Sequence, residues 1–428
     1  MRVTLKSLGC RLNEAELETW AQQFQAEGHD IVADGEEADL LVFNSCGVTL
    51  DAVRKSRSLL RKSSRENPTA KIVLSGCYAS LNPEEAASLG VDLVVANRDK
   101  HRLVEIARER LALPGMPAQS TEPGASALFR LGRHRAFIKV QDGCRYRCTY
   151  CIVTMARGEE RSRAPQEAID EINHLHAQGI QEAVLTGVHL GGYGRDTDSN
   201  LAGLIRAILE RTTIPRLRLG SLEPWDIPED FVDLFANPRL MPHLHLPLQS
   251  GADSVLKRMA RRCRTAEFAD LAGRLRAAIP DLNLTTDLIV GFPGETEAEW
   301  AETLAFVESI GFGHIHIFSF SPRAGTAAAD MPAPISGHVK KARSRALHGL
   351  AKKLKSDFAA RHIGRTLPVL WEGLRRQDDG QVMIHGYTPQ YLKVGMTVGA
   401  GADLSYTIAP VRLTGLTESG DCLIGEPT

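Results

Sequence analysis

The sequence lacks long apolar runs and has no surplus of charge of either sign. No segment approaches the ~18 consecutive apolar residues that a membrane helix requires. The first ten residues carry Arg2 and Lys6 and lack the apolar stretch of a signal peptide. The formal net charge is −1, so any contact with nucleic acid must come from local basic patches. These absences predict a cytoplasmic protein without a membrane anchor.

Cysteine is scarce as well, with eight residues in a chain of 428. This length allows two or three domains of ~150 residues each. A domain of about 300 residues buries about three quarters of its extended-chain surface, so it needs no covalent cross-links. Because cytoplasmic proteins rarely form disulfides, metal ligation is favoured over disulfide bonds for these cysteines.

Three of these cysteines lie close together in residues 141–157. Cys144, Cys148 and Cys151 have the spacing C-x3-C-x2-C, with no fourth cysteine nearby. Structural zinc sites usually take four ligands, whereas three soft thiolates in one loop suit an iron–sulfur cluster with one iron left open. An open iron is useful only if a ligand binds there. A zinc knuckle without its fourth ligand, or three free thiols, is the alternative.

Three other cysteines each follow a short strand pattern in the first 113 residues. Cys10, Cys46 and Cys77 come directly after the strand patterns at residues 3–8, 40–43 and 71–75. Helical patterns lie between them, which predicts a parallel sheet covered by helices. Loops at the carboxyl ends of parallel strands gather at one edge, where the three thiols would meet. Burial as apolar side chains is the alternative for each of them.

The helices of this segment are predicted at residues 13–25, 51–65 and 83–89. Asn13 and Glu16 have the spacing of a capping box at the start of the first helix. The second helix has a basic face, which either contacts RNA phosphates or is plain solvated surface. That face consists of Arg54, Lys55, Arg57, Arg61, Lys62 and Arg65.

Residues 113–128 are rich in proline and glycine and are predicted to form a linker. About six strand–helix units follow from Ala136 onwards, which predicts a partial or full parallel barrel with its chemistry at the carboxyl ends of the strands. His243 and His245 alternate with leucines and are interpreted as strand residues before ligands. The loops expected beside Cys144–Cys151 are 187–194, 221–223, 249–251, 291–295 and 321–326.

The carboxyl-terminal part begins with a basic helical pattern at residues 336–361. Residues 364–428 contain short alternating strands divided by turn residues, which predicts a small antiparallel barrel. Single-stranded RNA contact requires charge mixed with aromatic rings, and a barrel with an ordinary mixed surface is the alternative. The residues that combine these features are Arg375, Arg376, Tyr387, Tyr391 and Lys393.

The cysteine spacing, with Tyr150 before the last cysteine, resembles the radical S-adenosylmethionine (SAM) superfamily. The strings S-L-G-C-R-L-N-E-A-E-L-E, F-N-S-C-G-V-T and L-S-G-C-Y-A resemble the amino-terminal domain of the radical SAM methylthiotransferases. The last segment is similar to the TRAM domain of tRNA-modifying enzymes. The resemblance implies an α/β methylthiotransferase domain at 1–112, the linker, a radical SAM partial (β/α)6 barrel at 129–362 and a TRAM-like RNA-binding barrel at 363–428.

The resemblance also implies the cofactors and the site. Cys144, Cys148 and Cys151 would hold a 4Fe–4S cluster whose open iron chelates SAM, which is cleaved to a 5′-deoxyadenosyl radical. Cys10, Cys46 and Cys77 would hold a second, auxiliary 4Fe–4S cluster that presents sulfur. These six cysteines are the implied catalytic and metal-binding residues. The implied SAM-binding residues are Tyr150, Gly187, Gly191, Gly192, Ser221, Glu223, Gln249, Asp287 and Gly291.

The strings G-C-R-L-N and T-G-V-H-L-G-G-Y-G look most like the subgroup that acts on tRNA. That subgroup adds a methylthio group to C2 of N6-threonylcarbamoyladenosine at position 37, beside the anticodon. The alternatives are N6-isopentenyladenosine of tRNA, an aspartate of a ribosomal protein, or a non-catalytic RNA-binding protein stabilised by metal. The implied partners are the tRNA anticodon loop, a sulfur source and a one-electron donor such as flavodoxin or ferredoxin.

Overall fold

The computed structural model describes residues 1–113, 135–376, 382–399 and 404–428, with side chains except those of Arg375 and Arg376. The predicted linker therefore lies, apart from Leu113, outside the described residues. So do the side chains of Arg375 and Arg376, for which RNA contact was predicted.

The first five strands form one parallel sheet in the order β2-β1-β3-β4-β5. They are β1 (Arg2–Ser7), β2 (Asp30–Val32), β3 (Leu40–Ser45), β4 (Lys71–Gly76) and β5 (Leu93–Val95). Strand β3 is buried on both faces, with Leu40 and Val42 in one apolar cluster and Leu41 and Phe43 in the other. The predicted parallel sheet is confirmed. Burial of the central strand on both faces is typical of parallel sheets.

Helices cover both faces of this sheet. They are α1 (Arg11–Ala26), α2 (Leu50–Glu66), α3 (Cys77–Leu81), α4 (Pro83–Ala87) and α5 (Leu103–Leu111). The predicted capping box at Asn13 is wrong. Helix α1 begins two residues earlier, with Cys10 as the N-cap and no side-chain cap, and both Asn13 and Glu16 are buried. Their polar groups bind partners that are distant in the sequence.

Six parallel strands form the central domain as an open barrel. They are β6 (Arg135–Lys139), β9 (Glu182–Thr186), β10 (Arg216–Leu219), β11 (His243–His245), β12 (Asn283–Val290) and β13 (His314–Ser319). Two three-stranded sheets, β6-β9-β10 and β11-β12-β13, are joined by the bridges Leu217–Leu240 and Ser221–His245. A short hairpin of β7 (Gln141–Asp142) and β8 (Arg161–Ser162) flanks the cysteine loop. The predicted partial barrel is confirmed.

The helices of this domain follow its strands along the chain. They are α6 (Val153–Arg157), α7 (Pro165–Ala177), α8 (Leu201–Arg211), α9 (Asp253–Arg258), α10 (Thr265–Ala278), α11 (Glu297–Ile310) and α12 (Gly337–Ala360). Short 3₁₀ segments occur at Leu190–Gly192, Pro224–Asp226 and Glu229–Ala236. Among the helices of the described residues, none combines the length and the apolar composition needed to cross a bilayer.

The last five strands close into a small barrel in the order β14-β15-β16-β18-β17. They are β14 (Thr366–Arg376), β15 (Val382–Tyr387), β16 (Lys393–Val398), β17 (Ile408–Leu416) and β18 (Leu423–Pro427). Four of the pairings are antiparallel, as predicted, but β16 and β18 pair in parallel. This pairing brings the barrel's last strand back beside an earlier one, which alternation within each strand could not reveal.

A buried carboxylate joins the first domain to the barrel. Glu16 of α1 accepts from Lys100 in its own domain, from Lys139 of β6 at 2.9 Å and from Arg157 of α6 at 2.9 Å. Arg157 also binds Oδ1 of Asp142, which follows β6. A carboxylate buried this deeply is stable only when cations and hydrogen bonds compensate its lost hydration. The two domains are therefore held together by charge as well as by apolar contact.

A second buried carboxylate lies where the barrel meets the small carboxyl-terminal barrel. Glu182 of β9 accepts from Arg218 at 3.0 Å, with Arg135 and Arg216 each at 3.9 Å. Each arginine also reaches the small barrel, and the accepting atoms are the hydroxyl of Tyr391 and the carbonyls of Pro368, Tyr387 and Pro389. Tyr387 and Tyr391 stack on each other with centroids 4.9 Å apart. The structure thus places these two tyrosines at a domain junction.

We expect Glu182→Gln to weaken the acid dependence of stability. Burial alone would raise the pKa of Glu182, but Arg218 and Arg135 outweigh it and lower the pKa from 4.5 to about 2. A lowered folded-state pKa gives stability that is present above the unfolded-state pKa and is lost as the pH falls towards 2. In urea unfolding of the wild type, this group should lower the free energy of unfolding by about 2 kcal/mol between pH 7 and pH 3.

The pH dependence of the free energy of unfolding should be smaller by about this amount in the variant. At pH 7 the variant should also be about 3–5 kcal/mol less stable than the wild type, because its arginines are left without the carboxylate. Glu210→Gln, at an exposed position of α8, is the matched control and should change stability by less than about 0.5 kcal/mol. Unchanged acid sensitivity in Glu182→Gln would contradict the assignment.

Candidate metal centres at the barrel mouth

The loop of Cys144, Cys148 and Cys151 lies between β7 and α6 at the carboxyl end of the first barrel strand. The Cys144 amide donates to the carbonyl of Gly158, and the Cys151 amide donates to that of Cys148. Gly143 has a φ of +74°, and a Cβ there would lie 1.9 Å from the carbonyl oxygen of Glu159. Only glycine fits such a turn. The backbone turn at Gly143 therefore fixes the start of the loop that carries the three thiols.

These three thiols need a cation to ionise. Burial raises the pKa of Cys144 to about 12 and the pKa of Cys151 to about 11, and it raises the pKa of Cys148 as well. Each pair of the three interacts electrostatically. Thiols in such surroundings stay neutral unless a metal binds them as thiolates. All three are half-buried, and three soft sulfur ligands fit an iron–sulfur cluster.

A charged pair lies beside Cys148. Arg261 binds Glu223 at 2.7 Å and lies over the ring of Trp225 at 4.5 Å. The guanidinium also interacts with Cys148 and with Tyr150. Arg261 is a site residue without a local sequence signal, because its partner lies 38 residues away. The predicted residues Tyr150 and Glu223 are thus brought together at the cysteine loop, with Arg261 as the residue that links them.

The first-domain cysteines also converge, as shown by the glycines beside them. A Cβ on Gly9 would lie 3.1 Å from the Cβ of Cys46, and one on Gly47 would lie 3.0 Å from the carbonyl carbon of Cys77. Cys10 is exposed, Cys46 half-buried and Cys77 buried. Burial raises the pKa of Cys46 to about 11, with Cys77 and Cys10 in electrostatic range. These three thiols also fit soft-metal ligation.

Hydrogen bonds through Asn97 and Asn13 link the first-domain cysteines to the helix that follows the cysteine loop. Asn97 donates to the sulfur of Cys77 at 3.7 Å and to the carbonyl of Ala156 at 2.8 Å, one residue before Arg157. Arg157 donates to Oδ1 of Asn13, which also accepts from the Cys10 thiol at 3.8 Å. The guanidinium is within electrostatic range of Cys10 and Cys77. Helix α6, directly after the loop that carries one set, is therefore bonded to residues beside the other set.

The loop after the last barrel strand faces the same junction. Ser321 accepts a hydrogen bond from the Leu50 amide at 3.2 Å, at the start of α2. Arg323 interacts electrostatically with Cys46. The barrel mouth therefore opens towards the carboxyl edge of the amino-terminal sheet, where Cys10, Cys46 and Cys77 lie.

His189, in the glycine-rich loop, is a site residue that sequence reasoning missed. Its Nδ1 is 2.6 Å from Glu160 and its Nε2 is 2.5 Å from Asp226. Burial alone would lower the pKa of His189, but the bonds to Asp226 and Glu160 outweigh it and raise that pKa. Ligand atoms of Cys144, Glu160 and His189 lie within 4.8 Å of one another. A histidine between two acids has no local sequence signal, because both partners are distant in the chain.

The predicted glycines of this loop are packed closely. A Cβ on Gly187 would lie 2.8 Å from Oε1 of Gln141, one on Gly191 2.6 Å from the Cβ of Asp226, and one on Gly192 2.5 Å from Nδ1 of His189. Gln141 accepts from the His189 amide and donates to the carbonyl of Gly143. The glycine-rich loop and the cysteine loop are thus joined through one buried glutamine.

The other predicted cofactor residues lie between the end of β10 and the loop after β12. Ser221 is exposed and forms a backbone bridge to His245. Gln249 has a φ of +77°, and its backbone amide donates to the carbonyl of Asp287. Asp287 pairs with His245 at 3.2 Å. The Gly291 amide donates to Glu295, whose carboxylate binds Arg343 of α12. Arg343 is therefore part of the loop's support, apart from the exposed basic residues of that helix.

We expect Gly191→Ala to destabilise the protein by about 1–3 kcal/mol, because the added methyl group overlaps Asp226. Gly273→Ala is the matched control. Gly273 is an exposed glycine inside α10 with no atom within 4 Å of an added Cβ, so this change should stabilise by about 0.5–1 kcal/mol through helix propensity. Urea unfolding measures both. Changes in the free energy of unfolding of the same sign and size in both variants would contradict the close packing at Gly191.

Two family descriptions match the chain. Residues 138–307 match the Radical SAM superfamily, and residues 2–96 match the Uncharacterized protein family UPF0004. Among solved structures, the radical SAM methyltransferase TsrM of Kitasatospora setae has a TM-score of 0.58 at 17% identity, covering 77% of each chain. At that identity the likeness shows the fold alone.

Several bacterial relatives match almost the whole chain. The threonylcarbamoyladenosine tRNA methylthiotransferase MtaB of Thermotoga maritima is 37% identical over 98% of this chain and 95% of its own. The protein of the same name from Bacillus subtilis is 37% identical over 92% and 89%. The tRNA-2-methylthio-N(6)-dimethylallyladenosine synthase of Akkermansia muciniphila is 33% identical over 98% of both. The chain belongs to the radical SAM methylthiotransferase family.

Proposed function

We propose that this chain adds a methylthio group to C2 of N6-threonylcarbamoyladenosine at position 37 of tRNA, beside the anticodon. The observation that carries the proposal is the convergence of two cysteine sets on one junction, in a chain 37% identical to methylthiotransferases named for that nucleoside. The 33% identity to the dimethylallyladenosine synthase makes that nucleoside the competing substrate.

Each cysteine set would hold one 4Fe–4S cluster. Cys144, Cys148 and Cys151 would hold the cluster that binds SAM, and Cys10, Cys46 and Cys77 would hold the auxiliary one. When bound, these groups supply one-electron cleavage of SAM and a sulfur atom for transfer, which amino-acid side chains do not offer at a C–H carbon. Arg157 lies between the sets and would offset the negative charge of the ligated thiolates of Cys10 and Cys77.

The protein's own part is to position SAM and to keep the site together. Gly187, Gly191 and Gly192 let the backbone of the glycine-rich loop approach Gln141, Asp226 and His189 closely. Arg261 holds Glu223 next to Cys148, where the carboxylate can orient a cationic group of the cofactor. The remaining proposed SAM contacts are Tyr150 in the cysteine loop, Asp287 within β12, and Ser221, Gln249 and Gly291 in the loops after β10, β11 and β12.

The anticodon loop would contact the basic face of α2. Arg54, Arg61 and Arg65 of this face are exposed, whereas Lys55, Arg57 and Lys62 pair with Asp51, Glu85 and Glu66. The helix starts four residues after Cys46, so phosphates bound there would lie close to the auxiliary site. Exposed cations of this kind neutralise RNA phosphates. A flavodoxin or ferredoxin would supply electrons, and a separate sulfur source would renew the auxiliary site.

Nucleoside mass spectrometry of tRNA from a deletion strain tests the proposal. The strain should lack the methylthio form of threonylcarbamoyladenosine, and the wild-type gene should restore it. Cys46→Ala and Cys148→Ala should each fail to restore it, because each removes a ligand of one cluster. Cys263→Ala is the control, since this buried cysteine belongs to neither set, and it should restore the nucleoside.

Two outcomes would contradict the proposal. If the methylthio form of threonylcarbamoyladenosine persisted in the deletion strain while that of dimethylallyladenosine disappeared, the substrate would be wrong. If Cys46→Ala restored the modification as well as Cys263→Ala, the auxiliary site would be wrong.

A further inference from the structure

Three side chains outside the two cysteine sets converge on the inner face of the barrel. His245, Asp287 and His316 come from the neighbouring strands β11, β12 and β13, and their ligand atoms lie within 4.8 Å of one another. Nε2 of His245 is 3.2 Å from Oδ1 of Asp287, and the two imidazole rings are 5.4 Å apart. Two imidazoles and a carboxylate are thus presented from three rigid strands.

The alternation of the strands shows that this group faces the barrel interior. Leu244, Leu288 and Ile315, each adjacent in sequence to one of the three, belong to the apolar core under the helices. The three polar residues therefore point the other way. His245 and Asp287 are half-buried and His316 is exposed, so a solute that enters the mouth can reach them.

Thr285 holds the imidazole of His245 in place. Nδ1 of His245 is 2.9 Å from the hydroxyl of Thr285, which also lies 3.4 Å from the carbonyl oxygen of Leu244 and 3.3 Å from Nε2 of His243. Nε2 of His245 faces Oδ1 of Asp287 at 3.2 Å. A proton or a metal ion between this nitrogen and the carboxylate joins the two groups.

We propose that His245, Asp287 and His316 bind one divalent transition-metal ion of the zinc class on the inner wall of the barrel. Imidazole and carboxylate ligands suit such ions, and three protein ligands leave a position open. The hydroxyl of Thr285 orients His245, as outer partners of ligating histidines commonly do. This proposal does not depend on which nucleoside is modified, and it assigns Asp287 to the metal instead of to SAM.

The barrel wall that carries these three residues continues to the cysteine loop. Ile289, two residues after Asp287 on the same face of β12, packs in one cluster with Tyr150 of the cysteine loop. Arg261 interacts with Asp287, and Arg11 with His316, so positive charge surrounds the group. That charge favours an anionic oxygen group as the further ligand of the metal.

Zinc binding to the cluster-loaded enzyme tests the proposal. Equilibrium dialysis against Zn²⁺ should leave the wild type with one more zinc per chain than His316→Ala. The affinity should fall more than about 100-fold in His316→Ala, and about 10–100-fold in Thr285→Val, which removes only the outer partner. His348→Ala, an exposed histidine of α12, is the control and should retain the zinc.

Equal iron and sulfide contents in all variants would show that the clusters and the fold are intact. If His316→Ala lost iron, Asp287→Asn would replace it under the same criterion. Equal zinc in the wild type and the variants of His316, Asp287 and Thr285 would overturn the proposal. So would loss of the zinc from His348→Ala to the same extent.

Discussion

The structure depends on one buried carboxylate, that of Glu16. Three cations surround it: Lys100 from the amino-terminal domain, Lys139 from the first barrel strand, and Arg157 from the helix after the cysteine loop. A buried acid with a single partner would cost several kcal/mol of desolvation, so the three cations are what make this position stable. Because they come from both domains, the acid fixes the distance between those domains.

The relative position of the two cysteine sets depends on this junction. Arg157 follows Cys151 by six residues and binds both Glu16 and Asn13, three residues after Cys10. The same principle operates at the other end of the barrel, where Glu182 is surrounded by three arginines that reach the carboxyl-terminal barrel. The chain thus uses an acid with several cations at each domain boundary and leaves the barrel mouth open between them.

The sequence was sufficient to predict the elements whose signal lies within their own segment of the chain. Periodicity located the strands before Cys10, Cys46 and Cys77, and the strand–helix alternation predicted the barrel, because each pattern reports burial of its own segment. The failures share one cause. Asn13 and Glu16 have the spacing of a capping box, yet their partners are Arg157 and Lys139, over a hundred residues away.

The missed site residues have the same explanation. His189 and Arg261 act through acids that come close only in the folded chain, and the parallel pairing of β16 with β18 depends on how the small barrel closes. His245 was interpreted as an ordinary strand residue from the alternation of β11. That alternation correctly predicts the face on which it lies, but not the residues of β12 and β13 that share this face.

A double-mutant cycle at Glu16 and Arg157 tests most directly whether this junction holds the two cysteine sets together. The free energy of urea unfolding would be measured for the wild type, Glu16→Gln, Arg157→Gln and the double variant. The account predicts a coupling energy of about 1–3 kcal/mol between the two sites, as for directly bonded buried groups. Additive effects within about 0.5 kcal/mol would contradict it.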